Sequence, residues 1–180
     1  MKLLLGCLVA FSMILLFPFA SAISDDRAHG SYETEYATIY YYQEDALTDS
    51  IDTISSNTLI VGQDGEKNLI VMKDNIDRMV SRVKGLLGIY PPNLHFKIHI
   101  YSTYNELMSL FREIGMTGDA PVAFYSHRYK TIYLSAEKLN DRVLAHEITH
   151  VVINSYFDTP PPVQIQEILA HYVERHLGDQ

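Results

Sequence analysis

The stretch Ala145-His146-Glu147-Ile148-Thr149-His150-Val151-Val152 constrains this chain more than any other, because it fixes a local structure and a chemistry together. Four residues advance slightly more than one helical turn, so on a helix His146 and His150 share a face and both imidazoles can reach one ion. Glu147 then stands beside them, where a carboxylate can take a proton from water without joining the ion's ligands. The flanking residues agree with a helix. Leu144, Ile148 and Val151 fall together roughly opposite the histidines, with Ala145 and Val152 beside them, and Leu139, Val143, Ile153 and Phe157 extend the apolar surface above and below. The cluster is a polar gap in an apolar helix, the pattern of a buried helix with a site cut into it. The plain alternative is a core helix whose histidines find backbone partners.

A catalytic zinc site takes three protein ligands and keeps one position open, and candidates for the third lie close by. After Asp158 and Thr159 the run Pro160-Pro161-Pro162 stops the first helix, and a second helical pattern covers 163–174. Pro162 suits a first helical turn, where its missing N–H costs nothing. Ile165, Leu169 and Tyr172 are expected to form the apolar stripe of this helix, with Glu167, His171 and Glu174 on its other side. A short connection makes the two helices neighbours, so Glu167 can face the histidine pair.

Over 132–174 the chain resembles the gluzincin zinc metallopeptidases, in particular the peptidase MA-like domains. Their pattern is a short strand, His-Glu-x-x-His, then a second helix carrying Glu-x-x-Ala. The matching residues are His146, Glu147 and His150, followed by Glu167-Ile168-Leu169-Ala170. The resemblance implies Zn²⁺ held by His146, His150 and Glu167, with Glu147 as general base. It also implies that the strand at 131–134 forms the cleft rim along which a peptide or protein substrate pairs as an added strand.

Two departures stand out. Ile168 occupies a position where relatives usually carry glycine, and its bulk is expected to tighten the site. Four residues after the ligand glutamate, where relatives carry an acid that orients a ligand histidine, this chain has His171; Glu174 is the candidate substitute. Many larger gluzincins stabilise the oxyanion from a C-terminal subdomain. Here the candidates for that role are Tyr125, His127, Arg128, Tyr129 and Tyr133, near the rim. The expected activity is that of a zinc-dependent peptidase. A metallopeptidase-like binding module with weak or no turnover is one alternative, and a zinc hydrolase of non-peptide amides is another.

The chain opens with Lys2, an apolar run over 3–17, Pro18 and the small residues Ala20-Ser21-Ala22, the layout of an export signal cut after Ala22. A secreted or periplasmic protein is therefore expected, with retention of the run as a membrane anchor as the alternative. Cleavage there removes Cys7, the single cysteine, which excludes disulfides and cysteine ligands from the mature chain. It also leaves 13 basic against 22 acidic residues, a net charge of −9. Such a balance gives no electrostatic case for binding nucleic acid or an anionic membrane.

Residues 23–180 suffice for one domain, read as a loose arm over 23–35 and a metallopeptidase domain over 36–180. The tyrosine-rich stretch 36–42 reads as a strand, 44–57 as a weak helix or extended loop, and 58–62 as a short strand. An amphipathic helix runs from Lys67 to a stop at Gly88. In 94–101 strict alternation directs Leu94, Phe96, Ile98 and Ile100 to the core and His95, Lys97 and His99 to solvent, the two histidines being a lesser candidate for a second metal. Thr103 and Glu106 make a capping box for the next helix. Strands at 122–125 and 131–134 flank a polar tip, and Ser135 is a candidate N-cap. The order predicts an α+β fold, with helices packed on a small mixed or antiparallel sheet: a minimal zincin-like domain.

Overall fold

The computed structural model describes residues 27–43, 46, 65–118 and 121–178. The expected export signal, the strand at 58–62 and nearly all of 44–57 lie outside the described residues. The elements are β1 (Gly30–Glu33), β2 (Ala37–Tyr41), α1 (Gly65–Leu87), β3 (Phe96–Tyr101), α2 (Tyr104–Glu113), β4 (Ala123–Ser126), β5 (Thr131–Ser135), a 3-10 turn (Ala136–Lys138), α3 (Asp141–Tyr156) and α4 (Val163–His176). The five strands form one mixed sheet in the order β1-β2-β3-β5-β4. Its outer pairs, β1 with β2 and β4 with β5, are antiparallel; β3 runs parallel to both β2 and β5. The fold is α+β. No helix among the described residues is long and apolar enough to cross a membrane.

The stretch expected to be a loose arm contributes a strand. Gly30 pairs with Tyr41 in β1, and the Tyr41 ring fills the space a Cβ at position 30 would need, so glycine permits this close pairing. At the opposite edge β4 and β5 form a hairpin whose tip places Lys130 in the left-handed region at φ 49°.

Burial follows the alternation of the central strands on one face. Ile39, Ile98, Ile100, Ile132 and Leu134 meet Ile76, Val80 and Val83 of α1, together with Leu144, Ile148 and Val151 of α3. On the other face Leu107 and Leu110 of α2 cover Tyr133. The interior strands β3 and β5 are therefore covered on both sides.

That double cover corrects the expectation for His99, which is 1% exposed. Its Nδ1 lies 2.7 Å from the Tyr42 hydroxyl and its ring packs between Tyr40 and Tyr133. His95 stays at the surface, with Nε2 2.9 Å from the Thr38 hydroxyl and 3.5 Å from the Glu33 carboxylate. Among the described residues neither histidine belongs to a metal-capable group. Local alternation places side chains on two faces, but it does not say how many faces are covered.

The capping box on α2 forms as expected, with Thr103 Oγ1 accepting from the Glu106 N–H and Glu106 accepting from the Thr103 N–H. Ser135 does not cap α3. It precedes the 3-10 turn and its buried Oγ has no hydrogen-bond partner among the described residues, while Asn140 caps α3 by accepting from the Val143 N–H at 3.0 Å.

Candidate metal centre

The apolar face of α3 fixes which way its histidines turn. With Leu144, Ala145, Ile148, Val151 and Val152 buried in the core, His146 and His150 are carried to the opposite side, toward α4. The connection over 157–162 is short enough to lay α4 against that side. Glu167 then reaches both rings: one carboxylate oxygen is 3.4 Å from Nε2 of His146, the other 3.3 Å from Nε2 of His150. The two Nε2 atoms are themselves 3.2 Å apart.

These separations test whether a zinc ion fits. Ligand atoms about 2.0–2.1 Å from a tetrahedral ion stand about 3.3 Å from one another, which is the spacing of the two Nε2 atoms and of each Nε2 from its nearer Glu167 oxygen, the two oxygens being the two arms of one carboxylate. Two imidazole nitrogens and a carboxylate oxygen are also a donor set that zinc takes, and three ligands leave a fourth position for water or substrate. No family model, curated protein or solved structure matches the chain. What speaks for the occupant is thus the geometry and chemistry of the donors themselves.

Both histidines are held from behind. Nδ1 of His146 lies 2.5 Å from Oε1 of Glu174, so the ring proton sits on Nδ1 and the Nε2 lone pair faces His150 and Glu167. Burial alone would raise the Glu174 carboxyl, but its hydrogen bonds with His146 and His171 outweigh that and hold it below the usual carboxylate range. The acid missing at position 171 is thus supplied two turns beyond Glu167. His150 is oriented by a residue the sequence reading did not single out. Its Nδ1 is 3.2 Å from Oε1 of Gln166, which also accepts from Asn154 at 2.8 Å, while the Gln166 amide donates to the Pro161 carbonyl at 2.9 Å. Burial lowers the His150 imidazole below its ordinary range, against the opposing effect of Gln166, and so favours the neutral ring a metal needs.

Glu147 is buried at 8% exposure beside the triangle. Burial pushes its carboxyl up to about 7; His146 and a hydrogen bond from the Tyr125 backbone N–H pull it down, and Glu167 and Glu174 push it further up. It belongs to a cleft of about 460 Å³ lined by Pro121, Ala123, Phe124 and Tyr125 of the β4 side, by His127, and by His146, His150, Asn154, Val163, Gln166 and Glu167 of the helices.

Several expectations for the surroundings need correction. The cleft rim is β4: β5 pairs with both β3 and β4 and has no open edge for an added strand. Tyr133 is 3% exposed on the α2 face of the sheet, away from the cleft, among Leu107, Leu110 and Phe124. Arg128 and Tyr129 lie at the hairpin tip, the guanidinium 5.4 Å from the ring, and are not among the cleft residues. Tyr125 and His127 do line it; burial pushes the Tyr125 hydroxyl up to about 12, so it keeps its proton. The expected apolar stripe of α4 also points the wrong way. Ile165 and Tyr172 are 46% and 43% exposed, and the buried face is Gln166, Ala170 and Val173. Ile168 is 63% exposed and does not narrow the site.

Proposed function

We propose that this chain is a zinc-dependent peptidase of the gluzincin kind, exported by its N-terminal signal and acting on peptides or proteins. The observation that carries the reading is the cluster of His146, His150 and Glu167, whose Nε2 atoms are 3.2 Å apart and each 3.3–3.4 Å from one of the two Glu167 oxygens, beside the buried Glu147. Zinc held there would act as a Lewis acid and bring the pKa of water toward about 7.

The chain's own residues supply the rest. Glu147, with its carboxyl near neutrality, takes a proton from the attacking water and returns it to the leaving amine. An extended peptide can pair with the edge of β4 that no strand among the described residues covers, with Val163 offering apolar contact inside the cleft. Tyr125, protonated at neutral pH, and His127 are the donors nearest to hand for a developing oxyanion. The net charge of −8 over the full chain gives nucleic acid no attraction to this surface.

A module that binds the ion without turnover is the competing reading, and the histidine at position 171, in place of an orienting acid, speaks for it. Glu174 on Nδ1 of His146 answers that point and favours the enzyme. Replacing Glu147 by Gln separates the two. The expected result is hydrolysis of a mixed peptide library by the parent and a fall of about 10²- to 10⁴-fold in the variant, with zinc content unchanged. Equal hydrolysis by parent and variant would refute the assignment of Glu147, and a zinc-loaded parent that cleaves nothing would favour the module.

A further inference from the structure

His146 belongs to two groups, each with ligand atoms lying within 4.8 Å of one another: one with His150 and Glu167, the other with His171 and Glu174. Its two nitrogens serve the two sides. Nε2 faces His150 and Glu167, whereas Nδ1 faces Glu174. On that outer side Glu174 spans both rings, with Oε1 2.5 Å from Nδ1 of His146 and Oε2 3.4 Å from Nδ1 of His171. The His146 and His171 rings are 5.6 Å apart, and the His171 side chain is 58% exposed, so a hydrated cation meets this group without entering the cleft.

A neutral imidazole has one nitrogen with a lone pair and one carrying a proton. A cation on Nε2 of His146 therefore requires the proton on Nδ1, where Glu174 accepts it. A cation on Nδ1 requires the proton on Nε2, where it points at His150 and Glu167 and removes one of their three donors.

We infer that Nδ1 of His146, His171 and Glu174 form a second position for a divalent cation of the zinc class, mutually exclusive with the first, so that the protein carries one such ion in either of two places. The outer place regulates the inner one: an ion there takes the carboxylate that orients His146 and turns the ring's proton into the catalytic triangle. This consequence for activity rests on the function proposed above, but the binding itself does not. His171, a departure from the acidic residue of the resembled family, is what gives the outer group its second imidazole.

The test uses the full mature chain and zinc, with affinity measured by chelator competition and the His146 tautomer by ¹⁵N NMR of the rings. Glu167→Ala and Glu167→Gln are each made with and without His171→Ala, and circular dichroism reports their fold. The expected outcome is that both single variants keep one equivalent of zinc, at least about tenfold more weakly than the parent, with the His146 proton moved to Nε2; adding His171→Ala weakens the residual binding about tenfold again. Loss of all zinc in the folded Glu167 variants, a residual affinity indifferent to His171, or a proton that stays on Nδ1 would each overturn the inference. A parent that loses zinc through His171→Ala alone and not through Glu167→Ala would refute the inner triangle and leave the outer position standing. A parent that binds none refutes both.

Discussion

Glu174 stands 2.5 Å from Nδ1 of His146, so the ring nitrogen that faces Glu167 and His150 is the one with a free lone pair. A hydrogen bond on one side of an imidazole thus decides what the other side can do. Removing it by Glu174→Ala is expected to lower zinc affinity about 10- to 100-fold while the fold persists. Chelator competition measures this; equal affinity in parent and variant would show that the carboxylate does not set the tautomer.

Gln166 plays the corresponding part for His150, and it is itself buried at 8% exposure. In Gln166→Ala the His150 Nδ1 and the Asn154 amide both lose an acceptor. Leaving such groups unpaired costs about 1–3 kcal/mol, so a lower urea midpoint is expected together with weaker zinc binding. A variant weakened in stability alone would assign Gln166 to the core rather than the site.

The Glu147 carboxyl gives a pH dependence with a definite sign. Its folded-state value of about 7 lies above the ordinary 4.5, so between these values the folded chain holds a proton that the unfolded chain has released. Stability of the chelator-treated protein from this group therefore falls as pH rises through that window, and the loss is complete above it. At pH 8 Glu147→Gln is expected to be more stable than the parent by about 3 kcal/mol, the difference closing toward pH 4. Urea titrations at the two pH values check it; a parent more stable at pH 8 than the variant would contradict the burial argument.

The start of α3 offers a contrast between two neighbouring polar residues. Asn140 accepts from the Val143 N–H, and Asn140→Ala is expected to cost about 1 kcal/mol. Ser135 has a buried hydroxyl without a partner among the described residues, so Ser135→Ala is expected to be neutral or stabilising. Thermal unfolding of the two variants distinguishes them, and the reverse order would restore Ser135 as the cap.

Much of the centre was legible because its logic is local. The spacing of His146 and His150 and the apolar residues behind them need only helical periodicity, and the proline stop places α4 beside α3. Gln166 was hidden because α4 was read as packing its apolar residues inward. In fact it turns Gln166, Glu167 and Glu174 toward the histidines and leaves Ile165, Ile168 and Tyr172 exposed, so the helix faces a polar cleft and its usual amphipathic sense is inverted. His99 and Tyr133 were misplaced for another reason. Whether a strand is an edge or an interior one depends on pairings between segments far apart in sequence, 37–41 with 96–100 and 97–101 with 131–135, which alternation within one strand cannot reveal.

X-ray absorption at the zinc edge of the loaded protein bears most directly on the triangle at the heart of the fold. In His171→Ala, which confines the ion to the inner place, two imidazole nitrogens and a carboxylate oxygen at about 2.0–2.1 Å are expected, with the carboxylate contribution lost once Glu167→Ala is added. A shell of oxygen donors alone in His171→Ala, or a spectrum unchanged when Glu167→Ala is added to it, would contradict the ligand set of His146, His150 and Glu167.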